Sequence, residues 1–186
     1  VVVDAGADDS AGDVTITIAA AFAGTALEID GTALDQNALT AANNESLTLT
    51  QATSDTAAIT LTSGAGADII TSGAGNDTLT TGEGIDTITS SGGDDVIFAG
   101  GGNDIINAGA GRDNIDAGAG NDTITVSTDT DFEVSGGTET IDGGAGTDTL
   151  SFTATGAVHN FSSAEMGSVK NIEVISVAAP GGYGTT

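Results

Sequence analysis

The chain has 186 residues, with 27 Asp+Glu against 2 Lys+Arg, one His and no Cys, for a formal net charge of -25. Arg112 and Lys170 alone cannot displace phosphate counterions, so nucleic-acid binding is excluded, and without Cys there is neither a disulfide framework nor a Cys-based zinc site. No apolar run approaches the ~18 residues of a membrane helix. The start, with Asp4, Asp8, Asp9 and Asp13 among Ala and Gly, reads as an acidic linker over residues 1–13. It begins at Val1 without Met or a basic-apolar leader, as expected of a processed product or a fragment. Alternating apolar residues then predict strands at Val14–Ala19, Ala26–Asp30, Ser46–Thr50 and Ala58–Thr62. Ala33–Asn43 reads as a short helix or a loop. Residues 14–62 are expected to form a β-rich N-terminal cap over the open end of a repeat array, as such arrays require.

From Ser63 to Thr125 the chain divides into seven nonapeptides: SGAGADIIT, SGAGNDTLT, TGEGIDTIT, SSGGDDVIF, AGGGNDIIN, AGAGRDNID and AGAGNDTIT. Position 4 is always Gly: Gly66, Gly75, Gly84, Gly93, Gly102, Gly111 and Gly120. Position 6 is always Asp: Asp68, Asp77, Asp86, Asp95, Asp104, Asp113 and Asp122. Position 8 is Ile or Leu throughout, from Ile70 to Ile124. Position 2 is Gly64, Gly73, Gly82, Gly100, Gly109 and Gly118, with Ser91 as the exception. Past Thr125, Val134–Asp142 (VSGGTETID) puts Glu139 in the acid column, and Gly143–Ser151 (GGAGTDTLS) puts Asp148 there. Val126–Glu133 has eight residues and reads as a short, degenerate eighth unit with Asp131 in the acid column. The whole array is expected to span residues 63–151.

Larger apolar residues follow from Phe152 to Val177, and VKNIEVISV reads as a strand. Residues 152–179 are expected to form a C-terminal cap, and 180–186, with Pro180 and GGYGTT, a linker. The single His159 reads as a surface or cap residue. With one His, no Cys and no strong Ser motif, no catalytic constellation assembles, so the chain is not expected to be an enzyme. Asn44, Asn76, Asn121 and Asn160 begin formal glycosylation sequons, but Asn76 and Asn121 lie inside repeat turns.

The nonapeptide resembles the RTX (hemolysin-type) repeat of secreted bacterial proteins, Gly-Gly-x-Gly-x-Asp-x-apolar-x, over roughly half the chain. The resemblance implies an all-β fold, a parallel β-roll solenoid with β-rich N- and C-terminal caps. It implies that six residues form a calcium-binding turn and three a short strand, and that two nonapeptides complete a coil of eighteen.

The residues themselves suit Ca2+, a hard cation that takes six to eight oxygens from carboxylates and carbonyls. Glycines let the backbone turn successive carbonyls toward one point, and one Asp per turn adds a carboxylate. Stacked coils bring like charges within ~4.8 Å, a repulsion of about 1 kcal/mol in water and more inside protein, so the roll is expected to fold only with its metal. If the units alternate edges, Asp68, Asp86, Asp104, Asp122 and Glu139 stack on one, and Asp77, Asp95, Asp113, Asp131 and Asp148 on the other. That gives five sites within the regular units, 68/86, 86/104, 104/122, 77/95 and 95/113, and three more that depend on Glu139, Asp131 and Asp148. Asp94, at position 5, is either a further ligand or a solvated turn acid, and Arg112 there neutralises neighbouring acids.

The resemblance further implies a secreted, extracellular or cell-surface location and type I secretion, with a role like that of the repeat regions of bacterial S-layer proteins or RTX adhesins. The expected partners are calcium ions and other copies of the chain, in a homo-oligomer, lattice or filament. The alternative is an accessory domain of a secreted protease or lipase, whose catalytic part lies elsewhere. Ice binding wants an unbroken Thr ladder. Thr78/Thr80, Thr87/Thr89 and Thr123/Thr125 suggest one, but Val96/Phe98, Ile105/Asn107 and Asn114/Asp116 interrupt it.

Overall fold

The computed structural model describes residues 2–4, 14–18, 27–30, 46–54, 56–126, 139–153 and 168–177. Among these residues the regular structure is β-strand, with no α-helix. The expected helix or loop at Ala33–Asn43, and His159, Asn44 and Asn160, lie outside the described residues.

The strands form two sheets. One has nine strands: β1 (Val2–Asp4), β2 (Val14–Ile18), β4 (Leu47–Gln51), β6 (Ile69–Thr71), β8 (Thr87–Thr89), β10 (Ile105–Asn107), β12 (Thr123–Val126), β14 (Thr149–Phe152) and β16 (Val174–Val177). The other has seven: β3 (Leu27–Asp30), β5 (Ile59–Ala65), β7 (Thr78–Glu83), β9 (Val96–Gly101), β11 (Asn114–Ala119), β13 (Thr140–Asp142) and β15 (Val169–Lys170). From β2 onward the chain changes sheet at every strand, and apart from the antiparallel β1–β2 pair all neighbours run parallel. This is a parallel β-roll.

Register follows the nonapeptide. Ile70 pairs with Ile88 and Ile106 with Ile124 in the first sheet, while Leu79 pairs with Ile97 and Ile97 with Ile115 in the second. The apolar column is therefore continuous, and Ile70, Leu79, Ile88, Ile97, Ile106, Ile124, Ile141 and Leu150 are fully buried. Each such burial is worth roughly 1.5–3 kcal/mol. Strands of the seven-stranded sheet run longer than the three residues expected, because the ladder continues into the turn through Gly64, Gly82, Gly100 and Gly118.

Position 1 also faces inward, which admits only small side chains. In the first coils it carries hydroxyls that donate to the position 1 carbonyl of the next coil: Ser63 Oγ to Thr81 O at 3.1 Å, Thr81 Oγ1 to Ala99 O at 2.9 Å and Ser90 Oγ to Ala108 O at 2.6 Å. In later coils buried Ala99, Ala108 and Ala117 fill the same column.

The expected acidic linker 1–13 contains β1, antiparallel to β2, and two further sequence expectations change. Up to Asp122 the stacked acids lie 18 residues apart, but Asp122 and Asp148 lie 26 apart. Accordingly β11 pairs with β13 and β12 with β14, so the stretch between β12 and β13 is eight residues longer than the repeat spacing and adds no strand to the described sheets. Eight residues are inserted where the expectation placed an eighth repeat, and Asp131 lies outside the described residues. The second change concerns VKNIEVISV, which is two strands rather than one. Asn171 takes up φ 51° between them, sending β15 to one sheet and β16 to the other.

Candidate metal centre

Positions 6 and 8 are two residues apart on a strand, so the acid column faces inward with the apolar column. Asp68, Asp77, Asp86, Asp95, Asp104, Asp113, Asp122, Glu139 and Asp148 are all buried, at 0–3% exposure. One carboxylate oxygen of each Asp in the columns closes the ladder at the turn. On the first edge the backbone N–H of Asp68 donates to Asp86 Oδ1, Asp86 to Asp104 and Asp104 to Asp122, each at 2.8 Å. On the second, Asp77 N–H donates to Asp95 Oδ1 at 2.8 Å and Asp95 N–H to Asp113 Oδ1 at 2.9 Å. The expected pairs 68/86, 86/104, 104/122, 77/95 and 95/113 are thus adjacent in the structure.

Beyond Asp122 the edges are exchanged relative to the expectation. Asp122 N–H donates to Asp148 Oδ1 at 2.8 Å, so Asp148 continues the first edge. Thr140 N–H donates to Asp113 O at 2.9 Å, so Glu139 follows Asp113 on the second. The reason is the insertion: counting Val126–Glu133 as a unit shifts parity by one, and the chain does not count it.

The other carboxylate oxygen is what points to an ion. Oδ2 of Asp104, Asp122 and Asp148 is buried without a hydrogen-bond partner in the protein, while the carboxylates of Asp86 and Asp95 are also held by the hydroxyls of Thr81 and Ser90. A buried oxygen of this kind costs stability unless something satisfies it. Desolvation by burial holds the carboxyls of Asp86 and Asp122 above the usual range, Asp104 at about 6 and Asp95 at about 7, despite the backbone hydrogen bonds that favour the charged forms.

The glycine columns let successive turns stack backbone against backbone. Gly102 has φ 140°, and a Cβ there would fall 1.6 Å from Gly84 O, so each turn's carbonyl occupies the space a side chain would take in the next. Ser91, the non-glycine in column 2, takes φ 72° and donates from Oγ to Ser72 O at 2.9 Å. Gly73 and Gly75 depart from the expectation, since neither has the left-handed φ of the other column glycines. Their turn stacks on a non-repeat segment, where Gly73 N–H donates to Gln51 Oε1 at 3.1 Å and Gly75 approaches Ala57 O.

Some site residues were not legible in the repeat columns. Ile59 stands in the acid column, as the repeat phase of Ala58–Thr62 implies, and Leu47 does so without that signal; their N–H groups donate to Asp77 and Asp68 Oδ1 at 2.8 and 2.7 Å, so each acid column begins on an apolar residue. At position 5, Asn76 Oδ1 accepts from Asp94 N–H at 3.0 Å, and Asn103 Oδ1 from Asn121 N–H at 2.8 Å. These amides pin successive turns together, a role the recurring Asn-Asp dipeptide signals. Asp94 is exposed and pairs with the Arg112 guanidinium, which holds its carboxyl below the usual range. At the far end Asp148 N–H donates to Glu173 Oε2 at 2.8 Å.

The donor set is oxygen only, carboxylates beside turn carbonyls, with orphaned buried oxygens among them, which is the chemistry of a hard divalent cation. The profile of the RTX calcium-binding nonapeptide repeat (4 copies) matches residues 60–88, 89–124 and 134–151. These residues form an RTX calcium-binding repeat array. No curated protein and no solved structure matches the chain. The RTX roll is a calcium-binding structural module, and calcium held by the stacked Asp columns would supply the positive charge that lets those carboxylates coexist. No helix among the described residues is long and apolar enough to cross a membrane.

Proposed function

We propose that the chain is a calcium-dependent structural or adhesive module of a secreted bacterial surface protein, of the S-layer or RTX adhesin type, that folds on meeting calcium outside the cell. The observation that carries this reading is the pair of buried acid columns, with Oδ2 of Asp104, Asp122 and Asp148 left without a partner in the protein. Asp68, Asp77, Asp86, Asp95, Asp104, Asp113, Asp122, Asp148 and Glu139, with the turn carbonyls of the glycine columns, are the ligands in this reading. Extracellular modules bind calcium at about 10⁻⁴–10⁻³ M, so the chain stays unfolded and exportable where calcium is scarce and locks where it is abundant. The module works through rigidity and ion binding rather than catalysis, and copies assemble on the cell surface.

Circular dichroism with calcium and with excess EGTA tests the folding step. Loss of β signal on chelation is expected, and an unchanged spectrum would sink it. Electron microscopy of the calcium-loaded chain tests assembly: filaments or sheets support it, and dispersed single rods at high concentration argue against it.

A further inference from the structure

We propose that the residue at position 1 of each unit sets how strongly that unit's acid depends on calcium: a hydroxyl there takes over part of the ion's task, and alanine or glycine leaves the carboxylate to the ion alone. The inference rests on the calcium reading of the array and concerns a position outside its fixed columns.

Position 1 lies against the carboxylate five residues further on. Ser63 Oγ is 2.5 Å from Asp68 Oδ2, and a Cβ at Gly143 would fall 2.9 Å from Asp148 Oδ2. The hydroxyls of Thr81 and Ser90 hold the carboxylates of Asp86 and Asp95 in the same way. From the fifth unit the chemistry changes: position 1 is Ala99, Ala108 and Ala117, and Gly143 opens the last unit. Asp104, Asp122 and Asp148, in three of these units, each keep a buried Oδ2 with no hydrogen-bond partner.

A hydroxyl has one proton to donate, and here it meets two acceptors. Ser63 Oγ reaches both Asp68 Oδ2 and, at 3.1 Å, Thr81 O. Thr81 Oγ1 lies 2.9 Å from Ala99 O and Ser90 Oγ 2.6 Å from Ala108 O, beside the carboxylates of Asp86 and Asp95. Without an ion the proton serves the buried carboxylate, where a hydrogen bond to a charged acceptor counts most. With an ion on the carboxylate the proton turns to the strand carbonyl, and no bond is lost. The hydroxyl therefore favours the calcium-free coil and adds far less to the loaded one. Where position 1 is Ala or Gly, only the ion relieves the orphaned oxygen.

Burial differs from coil to coil, with Asp95 raised to about 7 and Asp104 to about 6, so the effect is read by exchanging the position 1 residue within one coil. Ala117→Ser puts a hydroxyl against Asp122 Oδ2. Hydrogen exchange followed through a calcium titration should show protection at 123–126 reached with several-fold less calcium than in the wild type, and equal protection at saturating calcium. Thr81→Val keeps the shape and removes the hydroxyl beside Asp86. Protection at 87–89 should then need several-fold more calcium, and Thr81→Ser should restore the wild-type midpoint. Should Thr81→Val fail to fold, Ala117→Ser decides alone.

An unmoved calcium midpoint in Ala117→Ser would overturn the proposal. So would a gain in protection as large at saturating as at limiting calcium, since the hydroxyl would then act as a packing contact or as an ion ligand. If wild-type protection did not respond to calcium at all, the parent reading would fail. If it did respond and Ala117→Ser left the midpoint in place, only the role of position 1 would fail.

Discussion

The regular coils between Ser63 and Val126 and the last coil, 168–177, use one plan with different supports. In the regular coils every column is present, and Ile97 is fully buried between Leu79 and Ile115. In the last coil the glycines are gone, the acid is Glu, and Ile175, in the same column, is 49% exposed. A coil with neighbours on both sides buries its apolar residue and both faces of its carboxylate. A coil with one neighbour does neither, and its turn is three residues shorter, since Val169–Lys170 pairs with Ile141–Asp142 and Val174 with Thr149.

The largest expected effect is removal of calcium, which withdraws the counter-charge from every buried acid at once. Chelation should abolish the cooperative melting transition of the whole roll, and a melt that survives EGTA would break the comparison at its root. Next comes the turn backbone. Gly102→Val asks for a side chain at φ 140° on top of Gly84 O, and should destabilise the calcium-loaded roll by about 3 kcal/mol or more, read as a fall in melting midpoint.

The apolar column sharpens the contrast directly. Ile97→Ala should cost about 2–5 kcal/mol by cavity formation, and Ile175→Ala less than about 1 kcal/mol, in calcium-saturated denaturant titrations. Equal costs would mean that the last coil is covered as well as the interior ones.

Acid should act on the calcium-free chain. Burial raises the Asp95 carboxyl to about 7 from 3.8, so the folded form holds its proton where the unfolded form has lost it. Calcium-free stability should therefore increase as pH falls through about 7 toward 3.8, while calcium affinity falls over the same window. Circular dichroism in chelator at pH 8 and pH 5 should show more β signal at pH 5. The smallest effect belongs to the exposed rim: Arg112→Ala breaks the pair with Asp94 and should leave calcium stoichiometry and the melting midpoint unchanged.

Much of the roll was readable in the chain. A strict period of nine, with Gly, Asp and Ile at separate phases, dictates short strands joined by oxygen-rich turns, because each residue type meets a local need. The strands of residues 14–62 were readable by alternation, although they extend the two sheets of the roll through β2–β4 and β3–β5 pairing. The exchange of edges after Asp122 was not readable. Parity depends on whether the eight extra residues between β12 and β13 count as a unit, and only the pairing of β12 with β14 and β11 with β13 decides that. Glu173 was hidden because its coil lacks the glycine columns, and an acid and an apolar residue alone are invisible without the strand they pair with.

Composition and phase by themselves determined that this polyanion carries a calcium-binding repeat with a turn every nine residues, since turn geometry and oxygen chemistry act over a few neighbouring residues. Tertiary structure alone decided which acids face one another, because stacking joins residues 18, 25 or 26 apart, and that distance is set by how many residues each coil leaves outside the ladder.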